Sequence, residues 1–218
     1  MNDVNKTNLG TSDKRRCVII SGGDFDTSAD IVPGDFVIAC DKGYTYAERL
    51  GIRPDLVIGD FDSCTGKVKE GIPVRRLPCE KDDTDTMSAV RYAVGSGFEE
   101  IVLCCALGGR ADHAYSNYQA GVFAVTNGAA FTITSDDTRI SFLCSGETDI
   151  PERQGYSLSV FSFTDRSEGV SISGAKYELE NAELVNSLPI GTSNEWKKDH
   201  VRISVRKGIL MIMESRIL

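Results

Sequence analysis

Short apolar runs punctuate the first two-thirds of the chain, and most give way to glycine, aspartate or serine. Cys17-Val18-Ile19-Ile20, Phe36 to Cys40, Leu56-Val57-Ile58 and Ile101 to Cys105 are continuous rather than alternating. That pattern predicts strands buried on both faces. Helical periodicity lies between them. Tyr44 to Leu50 turns Ala47 and Leu50 inward and is stopped by Gly51 and Pro54. Thr84 or Asp85 can cap a helix with Met87, Val90 and Val94 on one face, ended by Gly95 and Gly97. Tyr115, Tyr118, Val122 and Val125 recur at helical spacing up to Asn127-Gly128. Repeated strand–helix units predict a mostly parallel sheet covered on both faces.

Near Phe131 the texture changes to short alternating segments. Tyr156 to Phe163 alternates with Leu158 and Val160 in phase. Val201, Ile203 and Val205 point one way while Arg202, Ser204 and Arg206 point the other. Lys207-Gly208 then predicts a turn into Ile209 to Met213, a closing hairpin. The expected fold class is an N-terminal three-layer α/β domain with a mostly parallel sheet, spanning 16–135, followed by a C-terminal antiparallel β-sandwich, spanning 136–218.

Chemistry concentrates where the strands end. Gly59-Asp60-Phe61-Asp62-Ser63 follows the third strand, and ligands of open α/β sheets bind outside the carboxyl ends of the strands. Asp41 follows the second strand, and Asp82, Asp83 and Asp85 precede a helix. Neighbouring strand ends would bring four or five carboxylates together, a cluster that a hard divalent cation neutralises. Mg²⁺ held by a few carboxylates and substrate phosphates is the common solution. Turn chemistry alone also accounts for Asp-x-Asp after a strand. The pair gains meaning only from its companions. Ser21-Gly22-Gly23 after the first strand lacks the spaced-glycine fingerprint and reads equally as a plain turn.

Composition narrows the class. Among 218 residues the formal net charge is −8, which disfavours a general nucleic-acid binder. No apolar run approaches a membrane span, and Met1 to Arg16 is polar with no apolar core, unlike a secretory signal. Seven cysteines occur with no Cys-x-x-Cys spacing, and four sit inside apolar runs, which reads as reduced thiols in a cytoplasmic protein.

Taken together, the motifs resemble the thiamine pyrophosphokinase (thiamine diphosphokinase) family. The matching pieces are Asp41; Pro54-Asp55 leading to Gly59-Asp60-Phe61-Asp62-Ser63; Lys81-Asp82 with Thr84-Asp85; Gly108-Gly109-Arg110 with Asp112-His113 and Asn117; and Ser193-Asn194-Glu195. Lys42 and Trp196 depart from the usual pattern. The resemblance implies transfer of the pyrophosphoryl group of ATP to the hydroxyl of thiamine with Mg²⁺, giving AMP. It also implies a homodimer with thiamine at the subunit interface. Asp60 and Asp62 are then the first metal ligands, completed by Asp41 and Asp85. Asp60, Asp62, Asp85 and Arg110 would be catalytic. Lys81, Asp82, Gly109, Arg110, Asp112, His113 and Asn117 would hold the nucleotide, Arg110 through its planar fork. Ser193, Asn194 and Trp196 would meet thiamine, whose thiazolium suits an aromatic face. Bland readings stand beside these: Ser-Asn as a turn, Trp196 as a core filler, Asp112 or His113 as a helix cap.

Three alternatives remain open on the sequence. A metal-dependent nucleotide-sugar glycosyltransferase also uses Asp-x-Asp, but not the Lys81-Asp82 and Gly-Gly-Arg groups. A phosphatase with an aspartate nucleophile would release inorganic phosphate, not AMP. A non-enzymatic thiamine or nucleotide sensor could dispense with the acids, which this chain keeps.

Overall fold

The computed structural model of the chain describes residues 15–27, 29–60, 68–78 and 82–217. The first part runs β1 (Arg16–Ile20), β2 (Phe36–Cys40), α1 (Gly43–Arg49), β3 (Leu56–Gly59), β4 (Val74–Arg76), α2 (Asp85–Gly95), β5 (Glu100–Cys104), α3 (Ala111–Thr126) and β6 (Ala130–Thr134). Its strands pair in the order β4-β3-β2-β1-β5-β6, all parallel. The chain leaves β1 toward β2, β3 and β4, then returns to place β5 on the other side of β1. The loops after β1 and β5 therefore diverge, which opens a crevice at the switch point.

Alternate strand residues divide between two cores. Cys17, Ile19, Ile38, Ile58, Ile101 and Leu103 pack under α2 and α3, while Val18, Ile20, Val37, Ala39 and Val57 pack against Tyr44, Tyr46 and Ala47 of α1. This is the double-sided burial that continuous apolar runs require. Burial pushes the Cys17 thiol up to about 12. The five described cysteines are all free thiols.

Inward faces differ from the periodicity in two helices. In α1 the buried residues include Tyr44, Tyr46 and Ala47, while Leu50 is half-buried just past the end. In α3 the buried face is Asn117, Ala120, Gly121 and Ala124, and Tyr115 is exposed. Small residues win that face because the helix lies close on β6 and on the next strand. A Cβ on Gly121 would come within 2.5 Å of the Phe142 ring and 2.8 Å of Phe131. The large residues Tyr118, Val122 and Val125 flank the contact as partly buried packing.

Antiparallel pairing begins at β7 (Thr138–Pro151), which pairs with β6. It is followed by β8 (Tyr156–Ser162), β9 (Arg166–Ser173), β10 (Leu179–Val185) and β11 (His200–Arg216). β7 and β11 pair along almost their whole length. The first half of β11 also pairs with β9, and its second half with β8. Leu158, Val160, Val170, Ile172, Leu184, Val201, Ile203 and Leu210 close a core between these layers. The expected hairpin at Lys207-Gly208 is instead a bend inside one strand. Register shifts between Val205 and Ile209, Gly208 takes φ +105°, and Ser145 and Gly146 on the partner strand also take positive φ. Paired irregularities let two long strands turn without breaking their ladder. Among the described residues, no helix is long and apolar enough to cross a membrane.

Candidate active site

The carboxyl ends of β1, β2, β3 and β5 surround a cavity of about 540 Å³. Its wall is formed by Ser21 to Asp24 after β1, Cys40 to Lys42 after β2, Asp60 after β3, Thr84 to Thr86 at the start of α2, and Ala106 to Asn117 around the start of α3. Every described residue lining it precedes position 118.

Three carboxylates meet there. One oxygen from each of Asp41, Asp60 and Asp85 lies within 4.8 Å of the others. Each comes from a different element, so only the folded sheet assembles them. Asp41 is buried and takes φ 38°, a left-handed turn that sends its side chain back over the strand ends. Its amide donates to the Ile58 carbonyl at 2.9 Å. Two glycines permit that turn. A Cβ on Gly59 would stand 3.1 Å from the Asp41 Cβ, and a Cβ on Gly43 would collide with the Ile20 carbonyl. Asp85 is placed by α2, whose Thr84 cap accepts from the Met87 amide at 3.1 Å. The buried hydroxyls of Ser21 and Thr86 meet at 2.7 Å and tie that helix to the end of β1.

The donor set suits a hard cation. All three groups offer carboxylate oxygens, and Mg²⁺ with ligands at about 2.1 Å spans roughly 4.2 Å between opposite oxygens. Asp62 and Lys81 fall outside the described residues. Asp82 is exposed and does not line the cavity, while Asp83 pairs with Arg91 at 2.7 Å.

Around the start of α3 the candidates divide. Arg110 grips Asp112 through two hydrogen bonds, at 3.1 and 2.6 Å. That pair holds the Asp112 carboxyl below its usual range and raises the Arg110 guanidinium. Both side chains are solvent-exposed, so the pairing contributes little to stability. Asp112 also accepts from the His113 amide at 3.0 Å, and His113 is exposed at the cavity edge. Asn117 is buried, and its amide donates to the Ala106 carbonyl at 2.7 Å. It holds the loop after β5. Gly108 and Gly109 take φ 74° and 61°, and Asp24 packs against Gly108 where a side chain would stand.

The candidates in the second part occupy a different place. Asn194 is buried, and both ends of its amide are used within the chain. Its Oδ1 accepts from the Tyr177 and Glu195 amides at 2.9 Å each, and its Nδ2 donates to the Tyr177 carbonyl at 2.8 Å. Asn194 therefore pins the backbone of Tyr177, whose ring is 62% exposed. The Trp196 indole donates to the Ile150 carbonyl at 3.1 Å and packs on the sandwich core. Ser193 is exposed, with φ 57° and its amide bonded to the Ser159 hydroxyl at 3.0 Å.

Sequence reasoning did not select Asp24, Thr86 or Lys42 as site residues. The usable signal for Asp24 was its place directly after the glycine pair that ends β1. Thr86 carried none, because a threonine in the first turn of a helix is ordinary.

Comparison with known proteins fits this arrangement. The family described as thiamin pyrophosphokinase, catalytic domain, matches residues 31–132, and thiamin pyrophosphokinase, vitamin B1 binding domain, matches residues 147–210. A Bacillus subtilis protein named thiamine pyrophosphokinase is 29% identical over 185 residues, covering 82% of this chain and 86% of its own. A Caenorhabditis elegans protein, thiamin pyrophosphokinase 1, is 25% identical over 171 residues, covering 74% and 70%. The crystal structure of thiamine pyrophosphokinase from B. subtilis superposes with a TM-score of 0.86 at 26% identity, covering 94% of this chain and all of that one. The fold of the Candida albicans enzyme follows at a TM-score of 0.75 and 15% identity, covering 93% and 89%.

Proposed function

The chain belongs to the thiamine pyrophosphokinase family, and from that premise we propose how its cavity carries out the reaction. The enzyme transfers the pyrophosphoryl group of ATP to thiamine, giving thiamine diphosphate and AMP. The observation that carries the site assignment is the meeting of Asp41, Asp60 and Asp85 at the switch point of the sheet.

Asp41, Asp60 and Asp85, with Asp62 beside them in the chain, would hold Mg²⁺. When bound, the cation neutralises phosphate charge and fixes the β-phosphate toward its acceptor. The hydroxyl oxygen of thiamine attacks the β-phosphorus, the bond from that phosphorus to the α–β bridging oxygen breaks, and AMP leaves keeping the bridging oxygen. The hydroxyl proton passes to a carboxylate of the cluster. The protein otherwise contributes position and charge. Gly108 and Gly109 let the backbone approach the nucleotide, and Arg110 exchanges Asp112 for a phosphate. Lys81, His113 and Asn117 complete the nucleotide side, with Asn117 acting by holding the loop.

Thiamine would meet the second part of the chain through Ser193 and the Tyr177 ring that Asn194 holds. Trp196 supports that face from below. Because every described residue lining the cavity precedes position 118, we place the thiamine face of one copy over the cavity of another, in a homodimer. The proposed functional division is 16–135 for the nucleotide and 136–218 for thiamine. Free thiols support a reducing, cytoplasmic setting.

The test is a product assay with ATP, Mg²⁺ and thiamine. AMP and thiamine diphosphate should form in equal amounts. Release of inorganic phosphate instead, or thermal stabilisation by a UDP-sugar and not by ATP, would overturn the reading.

A further inference from the structure

Lys42 directly follows Asp41 and lines the same cavity. Its ammonium lies 5.1 Å from the centre of the Tyr46 ring and 3.4 Å from the Gly23 carbonyl. Tyr46 donates to that same carbonyl at 2.8 Å. Tyr46 is itself fixed. It is buried, and its ring meets Phe25 edge-on at 5.3 Å, with the Arg49 guanidinium over the Phe25 ring, 3.7 Å from its centre. Lys42, Tyr46 and Arg49 lie on one side of α1 and its entry, so a single ladder of cations and rings clamps the loop after β1. Gly22 brings that loop within 3.4 Å of the Lys42 Cβ, measured from where its own Cβ would stand.

The charges single out this lysine. The other strong cation that lines the cavity among the described residues, Arg110, is engaged by Asp112. Lys42 forms no ion pair with a described carboxylate. A carbonyl and a ring are weak partners that a phosphate oxygen displaces. Three carboxylates and a triphosphate carry more negative charge than one divalent cation neutralises, so a further cation in the cavity is favoured.

Building on the pyrophosphokinase reading, we propose that Lys42, held in place by Tyr46 and the Gly23 carbonyl, grips the pyrophosphoryl half of ATP. Its neighbour Asp41 belongs to the carboxylate cluster, so the ammonium flanks the transferred group rather than the AMP half. The lysine makes no covalent bond. It moves from the Gly23 carbonyl to a phosphate oxygen.

The experiment compares Lys42→Met, Lys42→Arg and Tyr46→Phe with the wild-type enzyme. Calorimetry reads the binding of ATP, ADP and AMP with Mg²⁺, and steady-state assays read KM for each substrate. Lys42→Met should weaken ATP and ADP by about tenfold or more, the loss of one charge-assisted hydrogen bond, while AMP and the KM for thiamine barely change. Lys42→Arg should recover most of the loss, and Tyr46→Phe should fall between. Equal losses for AMP, ADP and ATP, or none, would overturn the assignment. A wild-type enzyme that forms thiamine diphosphate alongside an unaffected Lys42→Met variant sinks Lys42 alone. Lys42-dependent ATP binding without thiamine diphosphate sinks the reaction and leaves the phosphate contact standing.

Discussion

At the scale of single residues, two aspects of the site separate cleanly: groups that meet substrate and groups that hold the scaffold. Asp60 and Asp85 belong with the first. Asp60→Asn or Asp85→Asn removes a charge without changing size, and turnover should fall by roughly 10²-fold or more if electrostatic stabilisation dominates. The rise in Tm on adding Mg²⁺ should shrink in the same variants, while the metal-free Tm holds or increases as like charges relax. Near-normal turnover would remove that aspartate from the metal site. Asn194 belongs with the second group. Asn194→Ala strands the Tyr177 amide and carbonyl and the Glu195 amide. Unsatisfied buried groups cost about 1–3 kcal/mol, which predicts a Tm lower by roughly 3–10 °C in a chain of this size. An unchanged Tm with lost thiamine binding would instead make Asn194 a direct contact. The sequence left Asn194 open between a thiamine contact and a turn residue, since an amide that binds a ligand and one that binds its own backbone look alike in one dimension. Asp41, expected to complete the ligand set after Asp60 and Asp62, does stand with Asp60 and Asp85 in the folded sheet.

At the scale of elements, legibility followed burial. β1, β2, β3 and β5 were readable as continuous apolar runs because both faces are covered. β4, Val74-Arg75-Arg76, was not, because it is a short exposed edge whose residues carry no pattern. The inward face of α3 was not legible, for a different reason. Close approach to β6 and β7 selects the smallest side chains, so hydrophobic size points away from the contact. This has a direct consequence at two glycines. Gly121→Ala pushes a methyl into Phe142 and Phe131 and should cost about 1–3 kcal/mol through overpacking. Gly95→Ala, at the exposed end of α2 with nothing within 4 Å of the new methyl, should instead stabilise by about 0.4–1 kcal/mol. Denaturant midpoints of the two variants should move in opposite directions. A neutral Gly121→Ala would show that α3 can slide on the sheet, and the close packing would then not be what sets its position above the cavity.

At the scale of the molecule, the sequence reading placed the division between parallel and antiparallel halves but not how they join. The long strands β7 and β11 carry the chain from one to the other, and their shared bend near Gly208 read in one dimension as a hairpin turn. That joining bears on function, because none of the described residues after position 117 lines the cavity, while residues 147–210 match the vitamin B1 binding domain. If both substrates must meet, a second copy supplies the thiamine face, and a two-fold interface then creates two composite sites. Asp60→Asn disables the cavity of its own chain. A double Ser193→Ala, Tyr177→Ala variant alters only exposed side chains of the other face and should keep the fold while losing thiamine use. Mixed in equal amounts after dissociation, half of the randomly paired dimers are mixed, and each of these carries one intact site. About a quarter of wild-type activity should return, from two parents that are each nearly inactive. Dilution supplies an independent measure, since specific activity should fall together with the dimer fraction in sedimentation. Confirmed subunit exchange with no recovered activity, or a monomer that keeps full turnover, would place the whole site within one chain.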